Sequence, residues 1–148
     1  MKTNETSIAD ELNAGRAVTT PTHGISMKPL LTEGKTLVLV EPLDRPLTVG
    51  ELPIFLREDG KYVIHRVIGA DAENYYTRGD NCLNYETVPK GQMLGVVTEI
   101  YRGEKTLRVT DRRYRLYVAV WRTLTPLRLG WKRLRVRLSQ AKKRILKK

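Results

Sequence analysis

The sequence has a single cysteine, Cys82, and no long apolar run. One thiol excludes an internal disulfide framework and indicates a reducing compartment. Apolar stretches such as 37–40 and 117–121 have four and five residues, whereas a bilayer span needs roughly twenty. Residues 1–13 are polar and mildly acidic, without the apolar centre of a secretory signal. We therefore predict a cytoplasmic protein, at most peripheral on the inner face of the membrane, with no signal peptide and no transmembrane segment.

Two classes of ligand site are also missing from the sequence. No cluster of His, Cys and Asp has the spacing of metal ligands, and no glycine-rich phosphate loop is present. We expect neither a metal ion nor a cofactor. The chain shows no internal repeat and no low-complexity linker. Its 148 residues are enough for one domain with a real core and an appendage.

Positive charge is concentrated near the C-terminal end. Residues 1–100 carry a net charge of −4, and residues 101–148 carry +15. This asymmetry indicates that the two parts have different roles. We predict an N-terminal segment over residues 1–17, a β domain over 18–110 and a basic helical tail over 111–148.

Short apolar segments separated by turn residues predict a mainly β domain. A short helix over residues 4–14, capped by Thr6 or Ser7, comes first. The predicted strands cover 37–40, 52–57, 61–68, 74–78, 94–101 and 106–109. Glu58-Asp59-Gly60 forms a hairpin turn, and the last strand pairs with the one before it. So many short strands predict a barrel or a coiled sheet.

The tail has apolar residues at helical spacing, and Pro126 interrupts the pattern. We predict a pair of basic amphipathic helices. The apolar positions are Tyr114, Tyr117, Val118 and Trp121 before the proline, and Leu127, Trp131, Leu134, Leu138, Ala141 and Ile145 after it. Residues 127–148 suit an anionic membrane surface, with an acidic partner protein or the phosphates of a nucleic acid as the alternatives. The first helix alternatively packs on the β domain. Nothing resembles a recognition helix, so sequence-specific nucleic-acid binding is not expected.

The segment Gly24-Ile25-Ser26-Met27-Lys28-Pro29 can hold one hydroxyl at a set angle. Gly24 permits a tight turn, while Pro29 fixes its own φ and restricts the residue before it. A serine hydroxyl is a poor nucleophile until a base removes its proton. The chain therefore needs a base close to Ser26 if that serine is to react.

His65 is the candidate base. On an alternating strand it shares a face with Val63 and Val67, where an apolar setting keeps an imidazole neutral and able to accept a proton. A satisfied core histidine is the alternative interpretation, and Lys61 is a weaker alternative base. The loop after residue 78 offers two carboxylates, Asp80 and Glu86, that are able to orient an imidazole.

Three segments in this order carry a family resemblance: residues 24–29, His65-Arg66-Val67 and Gly79-Asp80-Asn81. Together they resemble the serine peptidases of the type I signal peptidase and LexA-like superfamily, in the branch that uses histidine as base. The likeness extends from about Val18 to Tyr101. It implies a coiled β-sheet or partly open barrel of the signal peptidase–LexA type. The membrane anchor that the family's signal peptidases carry has no counterpart before the serine.

The resemblance also implies a role for each residue. Ser26 is the nucleophile, His65 is the general base, and either Asp80 or Glu86 is the acidic third member. The backbone N–H of Ser26, with the Ile25 region, lines an oxyanion hole. The supporting residues are Gly24, Met27, Pro29 and Arg66, of which Met27 packs under the site.

By this likeness the chain is a serine endopeptidase that cleaves an extended peptide or protein substrate, as in leader or precursor maturation. Two alternatives stay open. One is a non-catalytic peptide-binding module with the same fold. The other is a LexA-like self-cleaving regulator, for which Ala14-Gly15 provides the type of bond that is cut.

Overall fold

A computed structural model describes residues 7–145 of the chain, without the side chains of residues 144 and 145. The chain divides into two compact units, which meet in sequence between Asp111 and Arg112. Within the described residues, the first unit contains helix α1 (Ile8–Asn13) and the strands β1 (Val18–Pro21), β2 (Leu37–Pro42), β3 (Pro53–Leu56), β4 (Tyr62–Ile64), β5 (Arg66–Ala70), β6 (Asn74–Arg78), β7 (Glu86–Pro89), β8 (Met93–Arg102) and β9 (Lys105–Arg108). The second unit is helix α2 (Arg112–Ile145).

The strands form two antiparallel sheets. The larger has the order β1-β2-β8-β3-β4, with β9 paired to the end of β8, and the smaller is a meander of β5, β6 and β7. The pairing register shifts between Leu39 and Val40 and between Ile54 and Phe55. Such bulges bend strands, and the larger sheet is curled into a half-barrel. The prediction of a mainly β, coiled sheet is confirmed at this level.

Apolar side chains from both sheets form the core of the first unit. Alternate residues of β2, Val38 and Val40, are fully buried, as expected for a strand with one face toward a core. A second group, which includes Phe55, Val67 and Tyr75, joins strands of the two sheets. The phenol oxygen of Tyr75 accepts the N–H of Leu47 at 2.9 Å, so this buried polar group has a partner.

Helix α1 confirms the helix that was predicted near the N-terminus. Ser7 caps it: the Ser7 hydroxyl accepts the N–H of Asp10 at 3.1 Å, and the Asp10 carboxylate accepts the N–H of Ser7 at 3.3 Å. This reciprocal arrangement is a capping box. The alternative cap, Thr6, lies outside the described residues. Leu12 is buried and fixes the helix on the sheet.

The prediction of one strand over residues 61–68 is wrong. β4 ends at Ile64 in the larger sheet, and β5 begins at Arg66 in the smaller one, so the chain changes sheets at His65. Alternation of side-chain faces does not continue across such a change. Arg66, the first residue of β5, is buried, as is His65 before it. β1 and β7 were not predicted, because each has only four residues and ends in proline.

The prediction of two C-terminal helices is also wrong, because α2 continues through Pro126. A proline removes one helical hydrogen bond but does not by itself end a helix when the flanking residues favour helix, as Leu and Arg do here. The hydroxyls of Thr123 and Thr125 donate to the carbonyls of Ala119 and Trp121 at 2.9 and 2.6 Å. The predicted tail residues 146–148 lie outside the described part.

Over residues 7–145, α2 included, no helix is both long enough and apolar enough to cross a bilayer.

Gly95 in β8 lies against residues of β2 and against Leu12 of α1, so it tests how closely these two elements pack on the strand. A Cβ at this position would lie 2.5 Å from the carbonyl oxygen of Glu41 and 3.2 Å from a methyl carbon of Leu12. We expect Gly95→Ala to lower the free energy of unfolding by about 1–3 kcal/mol, measured by urea denaturation. Gly91→Ala is the matched control, because its Cβ would meet nothing within 4 Å. Equal stability of the two variants would contradict this packing.

Candidate functional site

A cleft of about 740 Å³ brings together three of the four predicted catalytic residues. Ser26, His65 and Glu86 all line it, although the first two are thirty-nine positions apart in the chain. Residues of β1 and β4 also line the cleft. These two strands are the ends of the strand order in the curled sheet, so its edges border the opening.

The segment that carries Ser26 is held by the loop after β6. The N–H of Asn81 donates to the carbonyl of Ser26 at 2.8 Å, and the Asn81 side chain donates to the carbonyl of Ile25 at 3.1 Å. The N–H of Asp80 donates to the sulfur of Met27 at 3.4 Å. Met27 is buried, while Ile25 is exposed. The segment therefore has one buried anchor and a half-buried Ser26 above it.

Gly79 makes this contact sterically feasible. A Cβ on Gly79 would stand 2.5 Å from the carbonyl oxygen of Ser26 and 2.8 Å from the sulfur of Cys82. No side chain fits at such a distance without displacing the serine backbone. At the other end of the contact, Gly24 has a φ of +76°, a left-handed conformation that favours glycine. Glycine is therefore required at Gly79 by the close approach of the Ser26 backbone, and it is favoured at Gly24 by the positive φ.

The loop between β1 and β2, residues 22–36, carries Ser26 and is held by further hydrogen bonds at two places. Thr22, which follows β1, donates its N–H to the carbonyl of Thr36 at 3.1 Å. The guanidinium of Arg102 donates to the carbonyls of Pro29 and Leu30 at 3.1 and 2.7 Å. The Lys28–Pro29 peptide bond is cis. The predicted supporting residue Pro29 therefore lies in a loop that is bonded to the sheet on both sides.

His65 occupies the junction between the two sheets. It is only 4% exposed, and its ring is edge-on to Phe55 with 6.3 Å between the centroids. Its Nδ1 lies 3.4 Å from a carboxylate oxygen of Glu86, without the alignment of a hydrogen bond. The imidazole is thus an apolar-packed side chain with one carboxylate beside its Nδ1.

Burial lowers the pKa of His65 below its ordinary value of 6.5. The Glu86 carboxylate opposes this and raises the pKa of His65, the Arg57 guanidinium lowers it, and the Asp80 carboxylate raises it by a smaller amount. Since burial dominates, the imidazole is neutral at pH 7 and has a lone pair with which to accept a proton.

Glu86, the first residue of β7, is oriented by Arg57. The Nε of Arg57 donates to Glu86 at 2.9 Å, and a terminal nitrogen of the same guanidinium donates to the other carboxylate oxygen. A two-point pair of this kind fixes the plane of the carboxylate. Glu86 is therefore held between a cation and the His65 ring.

Asp80 has a different partner. Its two carboxylate oxygens accept from Arg66 at 2.7 and 2.6 Å, and both side chains are almost fully buried. Arg66 also donates to the carbonyl of Gly50 at 2.9 Å. Of the two carboxylates that the sequence left open, Glu86 is the one that lies against His65, whereas Asp80 anchors the loop that holds Ser26.

Arg57 was missed by sequence reasoning. It follows the last residue of β3 and precedes a hairpin turn, where a charged residue is ordinarily solvated, so no pattern marked it. Lys61 and Cys82 also line the cleft. The Lys61 side chain is 76% exposed and its Nζ lies 3.7 Å from Asp59, so this side chain is largely solvated.

No protein-family model matches this chain, and no curated protein matches it either. The case for a function therefore depends on the residues themselves. Within residues 7–145, no three His, Cys, Asp or Glu side chains are grouped to hold a metal ion. The cleft groups a hydroxyl, a neutral imidazole and an ionisable carboxylate, which is a set suited to nucleophilic and general-base chemistry.

The pKa of His65 is directly measurable by NMR, because the chain has only two histidines. We expect a value below 6.5, and a lower one in Glu86→Gln, since that change removes the carboxylate that raises it. The unfolded imidazole then binds a proton more readily than the folded one. Stability should consequently fall as the pH drops from 6.5 toward the folded pKa.

His23→Gln assigns the two imidazole signals, because His23 is an exposed loop residue that lies 3.6 Å from Glu33. Arg57→Gln should move the pKa of His65 in the opposite direction from Glu86→Gln, since the guanidinium lowers it. A value of 6.5 or above in the unaltered chain would contradict the dominance of burial over the nearby carboxylates in setting the pKa of His65.

Proposed function

We propose that this chain is a serine peptidase with Ser26 as nucleophile, His65 as general base and Glu86 as the acidic third member. The observation that carries the proposal is the single cleft lined by all three residues, with the imidazole buried beside the carboxylate. The resemblance of residues 24–29, 65–67 and 79–81 to the signal peptidase and LexA-like superfamily supports the same assignment. The curled β-sheet is also compatible with this assignment. We propose that its fold is of the signal peptidase–LexA type.

The chemistry follows from these positions. His65 removes the proton of the Ser26 hydroxyl as the oxygen attacks a peptide carbonyl, and it later delivers that proton to the leaving amine. A positioned base contributes about 10²–10⁴-fold to the rate. Water then hydrolyses the acyl-serine by the same route. The backbone N–H of Ser26, with the Ile25 region, is the proposed oxyanion donor set.

The carboxylate acts after the proton has moved. Once His65 is an imidazolium, Glu86 at 3.4 Å stabilises the positive charge and favours one ring orientation. Arg57 acts through Glu86 and is a positioning residue, because its two-point pair fixes the plane of the carboxylate. The proposed role of Asp80 is indirect: its pair with Arg66 fixes the loop whose next residue, Asn81, is hydrogen-bonded to the Ser26 carbonyl.

The proposed substrate is an extended peptide. β1 and β4 each pair with only one strand among the described residues, and both border the cleft. A peptide in extended conformation can add to such an edge by main-chain hydrogen bonds. Ile54, Val63 and Met27 line the cleft and offer apolar contacts for substrate side chains. Maturation of a leader or a precursor is the role that suits this substrate.

The alternatives have less support. Ala14 and Gly15 form the hydrogen-bonded turn after α1, and neither residue lines the cleft, so self-cleavage at their bond gains no support. A binding module that does not cleave remains the competing hypothesis. It predicts the same affinity for peptides before and after removal of the Ser26 hydroxyl, with no turnover in either form.

A fluorophosphonate that reacts with activated serines separates these hypotheses. We expect it to label the full chain at Ser26, as located by mass spectrometry of the digested protein. Ser26→Ala and His65→Ala should abolish labelling, since one removes the nucleophile and the other the base. A peptide library should be cleaved by the unaltered chain and not by Ser26→Ala.

Ser139→Ala is the matched control, because it removes an exposed serine of α2. Its labelling and cleavage should be unchanged. Circular dichroism checks that each variant is folded. A folded chain that neither reacts with the probe nor cleaves any library peptide would refute the peptidase and favour the binding module.

The two carboxylates give a second test, because they differ in what they touch. Glu86→Gln should lower kcat by at least about tenfold and leave the fold largely intact. Asp80→Asn leaves the buried charge of Arg66 poorly paired, so it should lower the free energy of unfolding by about 3–5 kcal/mol. Urea denaturation and cleavage rates measure both effects. A catalytic loss without destabilisation in Asp80→Asn would make Asp80 the third member instead.

A further inference from the structure

Helix α2 has an apolar surface that begins before Pro126 and continues beyond it. We call it the α2 stripe. Its residues follow one another at intervals of three or four, so they lie on one face of the continuous helix. The stripe consists of Leu116, Val120, Leu124, Leu127, Trp131, Leu134 and Leu138, all of which are exposed.

The length of the stripe is unusual for a free surface. It covers residues 116–138, or about 33 Å at 1.5 Å per residue. Leu127 and Trp131 near its middle are 73% and 64% exposed. A contiguous apolar surface of this size indicates an interaction site.

The charge of α2 identifies the chemistry of the occupant. Residues 112–145 include twelve Lys and Arg and no Asp or Glu. The cations lie on both sides of the stripe: Arg135 is one residue beyond Leu134, and Arg137 is one residue before Leu138. A second copy of α2 would bring equal positive charge against it, so self-association is opposed by repulsion. The occupant must be apolar along the centre and anionic on both sides.

We infer that the α2 stripe binds the surface of an anionic membrane, with the helix lying in the plane of the bilayer. A planar surface meets the apolar stripe and both rows of cations together along the whole helix. Leucine and tryptophan enter the boundary between headgroups and acyl chains, while long Lys and Arg side chains reach the headgroups. This inference does not depend on the peptidase assignment.

The two tryptophans of the chain are built-in reporters, because both lie on α2. Trp131 belongs to the stripe. Trp121 lies off it, stacked on Tyr117 at 5.4 Å between ring centroids, with the guanidinium of Arg128 at 3.2 Å from the Trp121 ring centre. Membrane contact through the stripe should therefore affect the emission of Trp131 more than that of Trp121.

The test uses the full chain and vesicles of phosphatidylcholine, with and without phosphatidylglycerol. We expect cosedimentation with the anionic vesicles, much weaker binding to the neutral ones, and a loss of binding at high salt. In Trp121→Phe, anionic vesicles should shift the emission of Trp131 to the blue, and brominated lipid should quench it. In Trp131→Phe, both effects on Trp121 should be smaller.

Leu134→Gln and Val136→Gln form a matched pair. The two positions are 47% and 41% exposed, two residues apart, and on different faces of the helix. Neither change alters the net charge. We expect Leu134→Gln to weaken vesicle binding by about tenfold, and Val136→Gln by less than about twofold.

Three outcomes would overturn the inference. Equal binding of Leu134→Gln and Val136→Gln would reduce the interaction to charge alone. A dimer in analytical ultracentrifugation that Leu134→Gln dissociates, without vesicle binding, would assign the stripe to a second copy. A monomer that binds neither kind of vesicle would contradict membrane binding and favour an acidic protein as the partner of the stripe. Failure of vesicle binding would leave Ser26 labelling unaffected, so the two proposals fail separately.

Discussion

The contact between the backbone of Ser26 and the loop at Gly79 is the constraint on which the site depends. It joins two segments that are more than fifty residues apart, and it leaves no room for a Cβ between them. The next residue of that loop, Asp80, is fixed by the buried Arg66, which directly follows His65. The position of the serine and that of the histidine are therefore set by one continuous group of contacts. Displacement of the loop would separate the proposed nucleophile from its base.

The change of sheets at His65 explains its electrostatics. At this point the ring is covered by residues of both sheets, so burial is the dominant effect on its pKa. The adjacent Glu86 begins the last strand of the smaller sheet, while Arg57 follows a strand of the larger one. The ion pair of these two residues thus also joins the sheets, and the carboxylate beside His65 is part of that connection.

Much of the first unit was predictable, because its elements are local. The hairpin at Glu58-Asp59-Gly60, the pairing of β8 with β9 and the capped helix α1 follow from turn and cap chemistry within a few residues. The errors have non-local causes. No local pattern marks the transfer of the chain between sheets at His65, or the bonding of Arg57 to a residue twenty-nine positions away. Pro126 led to the opposite kind of error, because a local rule predicted a helix end at a residue through which α2 continues.

The sequence alone does not show which of Asp80 and Glu86 lies beside His65. In the sequence both are acidic residues that follow the same strand, and either can orient an imidazole. Burial and position distinguish them: Asp80 is almost fully buried against Arg66, whereas Glu86 is partly exposed and lies 3.4 Å from the Nδ1 of His65. Each carboxylate accepts on both oxygens from one guanidinium, Arg66 for Asp80 and Arg57 for Glu86. Glu86 has in addition the His65 ring beside it, so its proposed role follows from what it contacts in the folded chain and not from its place in the motif.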